Sequence, residues 1–259
     1  VLVKSSNIGM TMLGERLGKT RLHQALACFD FGKPTGIDLP GEDPGLLNPL
    51  RVWRDYSIPS VSQGYEVMVT PIQLARGFCV YANGGRLVRP RVVRGALDAD
   101  GSLVAPDASA ASTPPPQAVA PAAADQIRRI LCDVPVRGTA QRAHSKYWNI
   151  FGKTGTAHVS RGTAGYAEDG YTSSFMGGAP AEAPRMVVAV VIHEPRELKL
   201  GYYGGTVSAP VAHRVIERTL SYLDVPNSPQ LELPPAAVAA VLTGFDEKAY
   251  RNRTAVARE

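Results

Sequence analysis

Three cysteines, Cys28, Cys79 and Cys132, are the only thiols in 259 residues. They are far apart and odd in number, which excludes a disulfide framework, and without a C-x-x-C pair no thiolate zinc site is indicated. The pattern reads as buried free thiols. Long hydrophobic runs are also missing. The longest covers residues 186–192, too short to cross a bilayer and long enough for a buried strand. The net charge of +5 is spread without a dense Lys/Arg run, so scattered solvated arginines are expected rather than a nucleic-acid surface. The five histidines form no H-E-x-x-H, and no serine stands in G-x-S-x-G. No cofactor or metal is implied. No signal peptide opens the chain. It starts Val1-Leu2-Val3-Lys4, without methionine, and reads like a cut made inside a larger protein.

What is present is organised as helices around a few strands. Residues 5–31 carry a helical pattern in two pieces parted at Gly18, with Ile8, Met12 and Leu13 on one face of the first and Leu22, Leu26 and Phe29 on one face of the second. Residues 32–65 are rich in Gly, Pro and Asp and read as a long irregular connection, with Glu42 and Asp43 as solvated loop carboxylates. Thr70, Pro71 and Gln73 spell a capping box with proline at the first helical position. Gly84 and Gly85 end that helix. Residues 86–95 alternate like a strand. Residues 98–123, dominated by Ala, Pro, Ser and Asp, predict a flexible surface insertion. A short helix follows over 125–134, with Pro135 as its stop.

Three strands are expected over 148–159, 171–179 and 185–193, in antiparallel pairing. The third is so rich in β-branched residues that it reads as a central strand covered on both faces. A helix over about 208–223 comes next. Residues 226–259 form a polar tail with one short helix near 236–242. Residues 1–225 thus make one domain.

Chemistry concentrates in Gly152-Lys153-Thr154-Gly155-Thr156 and in Ser5-Ser6-Asn7. On a strand, Lys153 and Thr154 alternate across the two faces, and Thr154 and Thr156 share one. A cation, two hydroxyls and a glycine that lets another backbone lie close suit an extended peptide ending in a carboxylate. Gly152-Lys153-Thr154 also matches the end of a phosphate-binding loop, but that motif needs glycine where Tyr147 stands. An ordinary surface strand with a solvated lysine remains open from these residues alone. Ser5-Ser6-Asn7 reads equally as an N-cap, a role compatible with lining a cleft.

S-x-N and K-T-G-T are two of the three motifs of active-serine enzymes that react with penicillin. The third, S-x-x-K, is absent: none of the seven lysines has a serine three places before it. Further segments extend the likeness in order along the chain: Pro34-Thr35-Gly36-Ile37-Asp38-Leu39-Pro40-Gly41-Glu42, Thr70-Pro71-Ile72-Gln73-Leu74-Ala75, Ala82-Asn83-Gly84-Gly85, Ser174-Phe175-Met176-Gly177, and Tyr203-Gly204-Gly205 before Ala209-Pro210. From Lys4 to about Pro226 the chain resembles the transpeptidase domain of class B penicillin-binding proteins, in particular division-type peptidoglycan D,D-transpeptidases.

The resemblance implies an α+β fold of the β-lactamase/transpeptidase type. An antiparallel sheet would be covered by helices, with the N-terminal strands and the nucleophile helix missing here. It implies serine acyl transfer between D-Ala-D-Ala stem peptides in septal wall synthesis, β-lactams as inhibitors, cell-division proteins as partners, and a membrane anchor upstream, with the domain on the extracytoplasmic side. By resemblance, Ser5 relays a proton to the leaving amine, Asn7 holds the substrate amide, and Lys153 supplies field and bonds Ser5. Thr154 and Thr156 take the carboxylate beside Gly155, and the Thr156 N–H is half of an oxyanion hole. A D,D-carboxypeptidase or β-lactamase, with water as acceptor, and a non-catalytic scaffold or sensor remain alternatives. Residues 1–259 alone are expected to be poorly soluble and to take no covalent label from a fluorescent penicillin; a labelled band on a denaturing gel would overturn this.

Overall fold

The computed structural model describes residues 1–104, 114–162, 165–196 and 201–229. Val1–Asn227 make one compact unit, and Ser228–Glu259 fall in a second. The short helix expected near 236–242 lies outside the described residues.

Helix α1 (Asn7–Ala27) starts where Ser6 caps it, its hydroxyl accepting from the Gly9 N–H at 3.1 Å. Gly18, at φ 73 and ψ 166, breaks the helical path inside it, as the two-piece pattern requires. The face with Ile8, Met12 and Leu13 is exposed, and the one buried residue is Gly14, which meets α2 (Ser57–Ser62) at Ser62.

The connection over 32–65 is more ordered than its composition suggests. It contains β1 (Leu46–Leu47), a 3-10 turn at Leu50–Val52 and α2. Its carboxylates are not free. Glu42 accepts from the backbone N–H groups of Thr35 (2.6 Å) and Gly36 (3.0 Å), and Asp43 accepts from Gly45 N–H at 2.7 Å. A hydrogen bond from the Thr35 side chain, with those backbone bonds, holds the Glu42 carboxyl below its ordinary range. Asp43 is exposed and Glu42 half-buried, and both also serve as acceptors for local N–H groups of a turn-rich segment.

Strand β2 (Val67–Met68) pairs antiparallel with β1 and leads into α3 (Pro71–Ala82). The capping box forms, with Gln73 N–H to Thr70 Oγ1 at 3.2 Å and Thr70 N–H to Gln73 Oε1 at 2.8 Å. Gln73 does more than cap. Its buried Nε2 donates to Lys33 O (2.9 Å) and Pro44 O (2.8 Å), tying the connection to the helix.

Residues 86–95 do not form the expected strand; a single bridge joins Arg86 to Gln117. Asp38 takes the backbone N–H groups of Val92 (2.6 Å) and Val93 (2.7 Å), donors a strand would have used. Nor is 98–123 simply an excursion. It holds the turn of the hairpin β3 (Ala96–Leu97) with β4 (Leu103–Val104) and the first residues of α4 (Pro121–Arg137), while 105–113 lie outside the described residues. Pro135 sits inside α4, buried, rather than stopping it. Its ring removes the donor that Leu131 O would take in a helix, while the last turn still closes, Val134 O receiving the N–H groups of Gly138 (3.1 Å) and Ala140 (3.2 Å).

The main sheet has the order β5 (Phe151–Ser160), β6 (Tyr166–Ala179), β7 (Met186–His193), all antiparallel. Lys153 faces Met176, and Gly155 faces Ser174. Among the described residues β7 pairs with β6 alone, which leaves its other edge unpaired. Helices α3, α4 and α6 (Ala209–Tyr222) pack on this sheet, and α6 follows a short helix, α5 (Gly204–Val207), that the sequence did not announce. The core holds Phe78 stacked on Phe151 with ring centroids 5.9 Å apart, together with fully buried Phe175, Ile216 and Leu220. Of the thiols, Cys28 is exposed and Cys79 and Cys132 are half-buried, so the expectation of three buried thiols fails at Cys28. Burial pushes the Cys132 thiol up to about 11. Truncating the stacked ring, Phe151→Ala, is expected to cost about 3–5 kcal/mol in denaturant unfolding; a loss below about 1 kcal/mol would show that the stack does not anchor the sheet.

Candidate active site

Strand β5 carries the site because its pleat separates two kinds of side chain. Lys153 leaves one face and Thr154 and Thr156 the other. Phe151, two residues before Lys153, is buried, which pins the strand and fixes where Lys153 emerges. The Lys153 ammonium donates to Ser5 Oγ at 2.7 Å and to Thr154 O at 2.7 Å. Ser5 and Lys153 are 148 residues apart in sequence. Ser5 sits just before α1, at φ 53, where the chain turns into the helix. Lys4 secures that turn by donating to Arg137 O at 2.6 Å, at the end of α4.

The Lys153 side chain forms no ion pair among the described residues. Burial favours its neutral form and lowers its pKa to about 8. At pH 7 the ammonium still outnumbers the amine by about ten to one.

The two threonine hydroxyls are held by separate partners. Thr154 Oγ1 lies 2.6 Å from Thr139 Oγ1, and Thr156 Oγ1 accepts from Gly204 N–H at 3.1 Å. The Thr156 hydroxyl proton is therefore left to point elsewhere. Ser5, Asn7, Lys153, Thr154, Gly155 and Thr156 all line one cleft of about 850 Å³. The six residues expected from the sequence are thus brought together.

One expectation changes. Gly155 was read as leaving room for a substrate backbone. A Cβ there would lie 2.4 Å from Ser174 Oγ, so its bare face is already filled by the neighbouring strand. The cleft also takes residues that motif reading passed over: Gln63 and Gly64 after α2, Thr139 and Arg142 after α4, and Tyr203. Gly138-Thr139 directly follows a helical pattern, a signal for a turn but not for a site. Among the described residues no group of His, Cys, Asp or Glu could hold a metal ion, and no helix is long and apolar enough to cross a membrane.

Residues 1–217 match the family model of the penicillin-binding protein transpeptidase domain. The chain is 34% identical over 239 residues to the probable peptidoglycan D,D-transpeptidase PbpC of Pseudomonas aeruginosa, an alignment covering 92% of this chain and 39% of that protein. It is 34% identical over 233 residues to stage V sporulation protein D of Bacillus subtilis, covering 90% of this chain and 35% of that one. Among solved structures, penicillin-binding protein 3 of Mycobacterium tuberculosis complexed with ampicillin superposes with a TM-score of 0.79 at 30% identity, over 90% of this chain and 52% of that one. The chain therefore spans between about a third and a half of the length of these proteins. With a sheet and helices of the β-lactamase/transpeptidase kind, a cleft built on S-x-N and K-T-G-T, and a family match over 217 residues, the chain belongs to the penicillin-binding protein transpeptidase domain family.

Proposed function

We propose that residues 1–225 are the leaving-group and carboxylate side of a peptidoglycan D,D-transpeptidase domain on the extracytoplasmic face of a membrane. The reacting serine is that of an S-x-x-K motif, which residues 1–259 do not contain. The observation that carries this reading is the 2.7 Å bond from Lys153 to Ser5, set in one cleft with the Thr154 and Thr156 hydroxyls.

The chemistry follows from that arrangement. A stem peptide lies along β5 with its terminal carboxylate at the two threonine hydroxyls, inside the field of the Lys153 ammonium. The serine gives its hydroxyl proton to the lysine of its own S-x-x-K motif as its oxygen bonds to the penultimate D-Ala carbonyl carbon, and the charge on the carbonyl oxygen is met in part by the Thr156 N–H. As the C–N bond breaks, the departing D-Ala amine takes the Ser5 hydroxyl proton, and Ser5 is reprotonated by Lys153. An acceptor amine then attacks the ester carbonyl, giving its proton back along Ser5 to Lys153, and the serine departs as it recovers its own proton from the S-x-x-K lysine. Asn7, at the same lip, holds the substrate amide. β-Lactams enter by the same route, and cell-division proteins are the partners of the whole protein.

In the full-length protein, a fluorescent penicillin is expected to label one serine, and paired stem peptides are expected to yield a cross-linked product with release of D-Ala. Trimmed peptides without cross-links would reassign the activity to a carboxypeptidase. An unlabelled protein would make it a non-catalytic scaffold.

Lys153 adds a pH signature. Its charge is present below about pH 8 and lost above it, so affinity for a peptide ending in D-Ala-D-Ala should fall as pH rises through 8. Lys153→Met should weaken binding at pH 7 and flatten that fall. A dissociation constant unchanged between pH 7 and about 9.5 by calorimetry would remove Lys153 from carboxylate recognition.

A further inference from the structure

We infer that Thr139 is a positioning residue for carboxylate recognition, acting through the hydroxyl of Thr154; this rests on the transpeptidase reading above. The two hydroxyl oxygens are 2.6 Å apart, and both residues line the cleft. Each hydroxyl has one proton, and one bond between the two consumes only one of them. If Thr139 donates, the Thr154 proton is free for an anion, and accepting a bond strengthens Thr154 as a donor. If Thr154 donates, the free proton is that of Thr139, one hydroxyl further along the same wall. In both cases the pair presents a single oriented donor, and losing Thr139 releases Thr154 to turn away or to bond its own surroundings.

The position of Thr139 is built rather than incidental. Val134 O, in the last turn of α4, receives the N–H groups on both sides of it, from Gly138 (3.1 Å) and Ala140 (3.2 Å). From the other side, Gly205 lies against the Thr139 carbonyl. A Cβ at 205 would fall 2.1 Å from that oxygen. Ala140, the next residue, is fully buried. The backbone of Thr139 is thus clamped while its hydroxyl faces the cleft.

The test compares acylation of the full-length protein by benzylpenicillin with acylation by its methyl ester, which lacks the carboxylate. Thr139→Val keeps the shape and removes the hydroxyl. It is expected to slow acylation by the acid roughly tenfold or more, the scale of one charge-assisted hydrogen bond, and to change the ester rate less than about twofold. Thr139→Ser should restore the acid rate. Thr139→Ala serves as a second variant if the valine lowers the melting temperature. An equal fall with both ligands would make Thr139 merely structural, and an unchanged acid rate would end its role; either overturns the inference while leaving the transpeptidase reading intact. A wild-type protein that takes no label, or labels acid and ester equally, would overturn the reading beneath it as well.

Discussion

The approach of Gly204 and Gly205 to strand β5 is the constraint on which the rest of the site depends. A Cβ on Gly204 would lie 2.3 Å from Ser174 O and 2.5 Å from Gly155 O, and one on Gly205 would lie 2.1 Å from Thr139 O. All three obstacles are backbone atoms of the sheet or of the turn after α4, so nothing could swing aside. Only glycine lets the start of α5 sit so close. From there the Gly204 N–H reaches Thr156 Oγ1, Tyr203 is left at the mouth of the cleft, and α6 begins at the height where Ile216 and Leu220 are fully buried. One backbone contact therefore sets the orientation of Thr156, the depth of the cleft and the seating of the last helix.

Electrostatics use that geometry. Lys153 is surrounded by neutral oxygen atoms, Ser5 Oγ and Thr154 O, rather than by a carboxylate. A paired lysine would be more stable but would have its field cancelled at close range. Here the desolvated ammonium is only moderately favoured at neutral pH, so it can both attract an anion and give up a proton. The fold tolerates this cost because Phe151 anchors the same strand two residues earlier and recovers apolar burial that Lys153 does not supply.

Much of this was legible where the determining contacts are local. The Thr70–Gln73 capping box, the break at Gly18 and the three sheet runs follow from spacing alone, and Lys153 and the threonines separate as a pleat requires. The misreadings have different causes. Residues 86–95 alternate like a strand, but Asp38 captures two of their N–H groups from more than 50 residues away. Pro135 looks like a helix stop, but it costs one donor near the end of α4 and the last turn still closes on Val134 O. Thr139 carries no motif at all, because its meaning comes from Thr154 and from the Gly205 backbone, which periodicity cannot report. The order of the motif segments along the chain carried the family, and the distances within the cleft added Thr139 and Gly204 as partners of the two threonines.

The two edges of the main sheet are different in kind, and that difference argues for where a peptide adds. The outer edge of β7 belongs to a run of Val187, Val188, Ala189, Val190 and Val191, apolar and half-buried to exposed. That run carries no charge or hydroxyl to select a partner. The outer edge of β5 follows Lys153, Thr154, Gly155 and Thr156 into the cleft, where a cation and hydroxyl donors are already oriented. On the transpeptidase reading, backbone pairing along β5 would supply affinity indifferent to sequence, while the charge and hydroxyls at one end would select a chain that terminates there in an anion. On that reading, recognition of a peptide's end rather than its middle would follow from placing the polar cluster on an edge strand and closing its far side with α5.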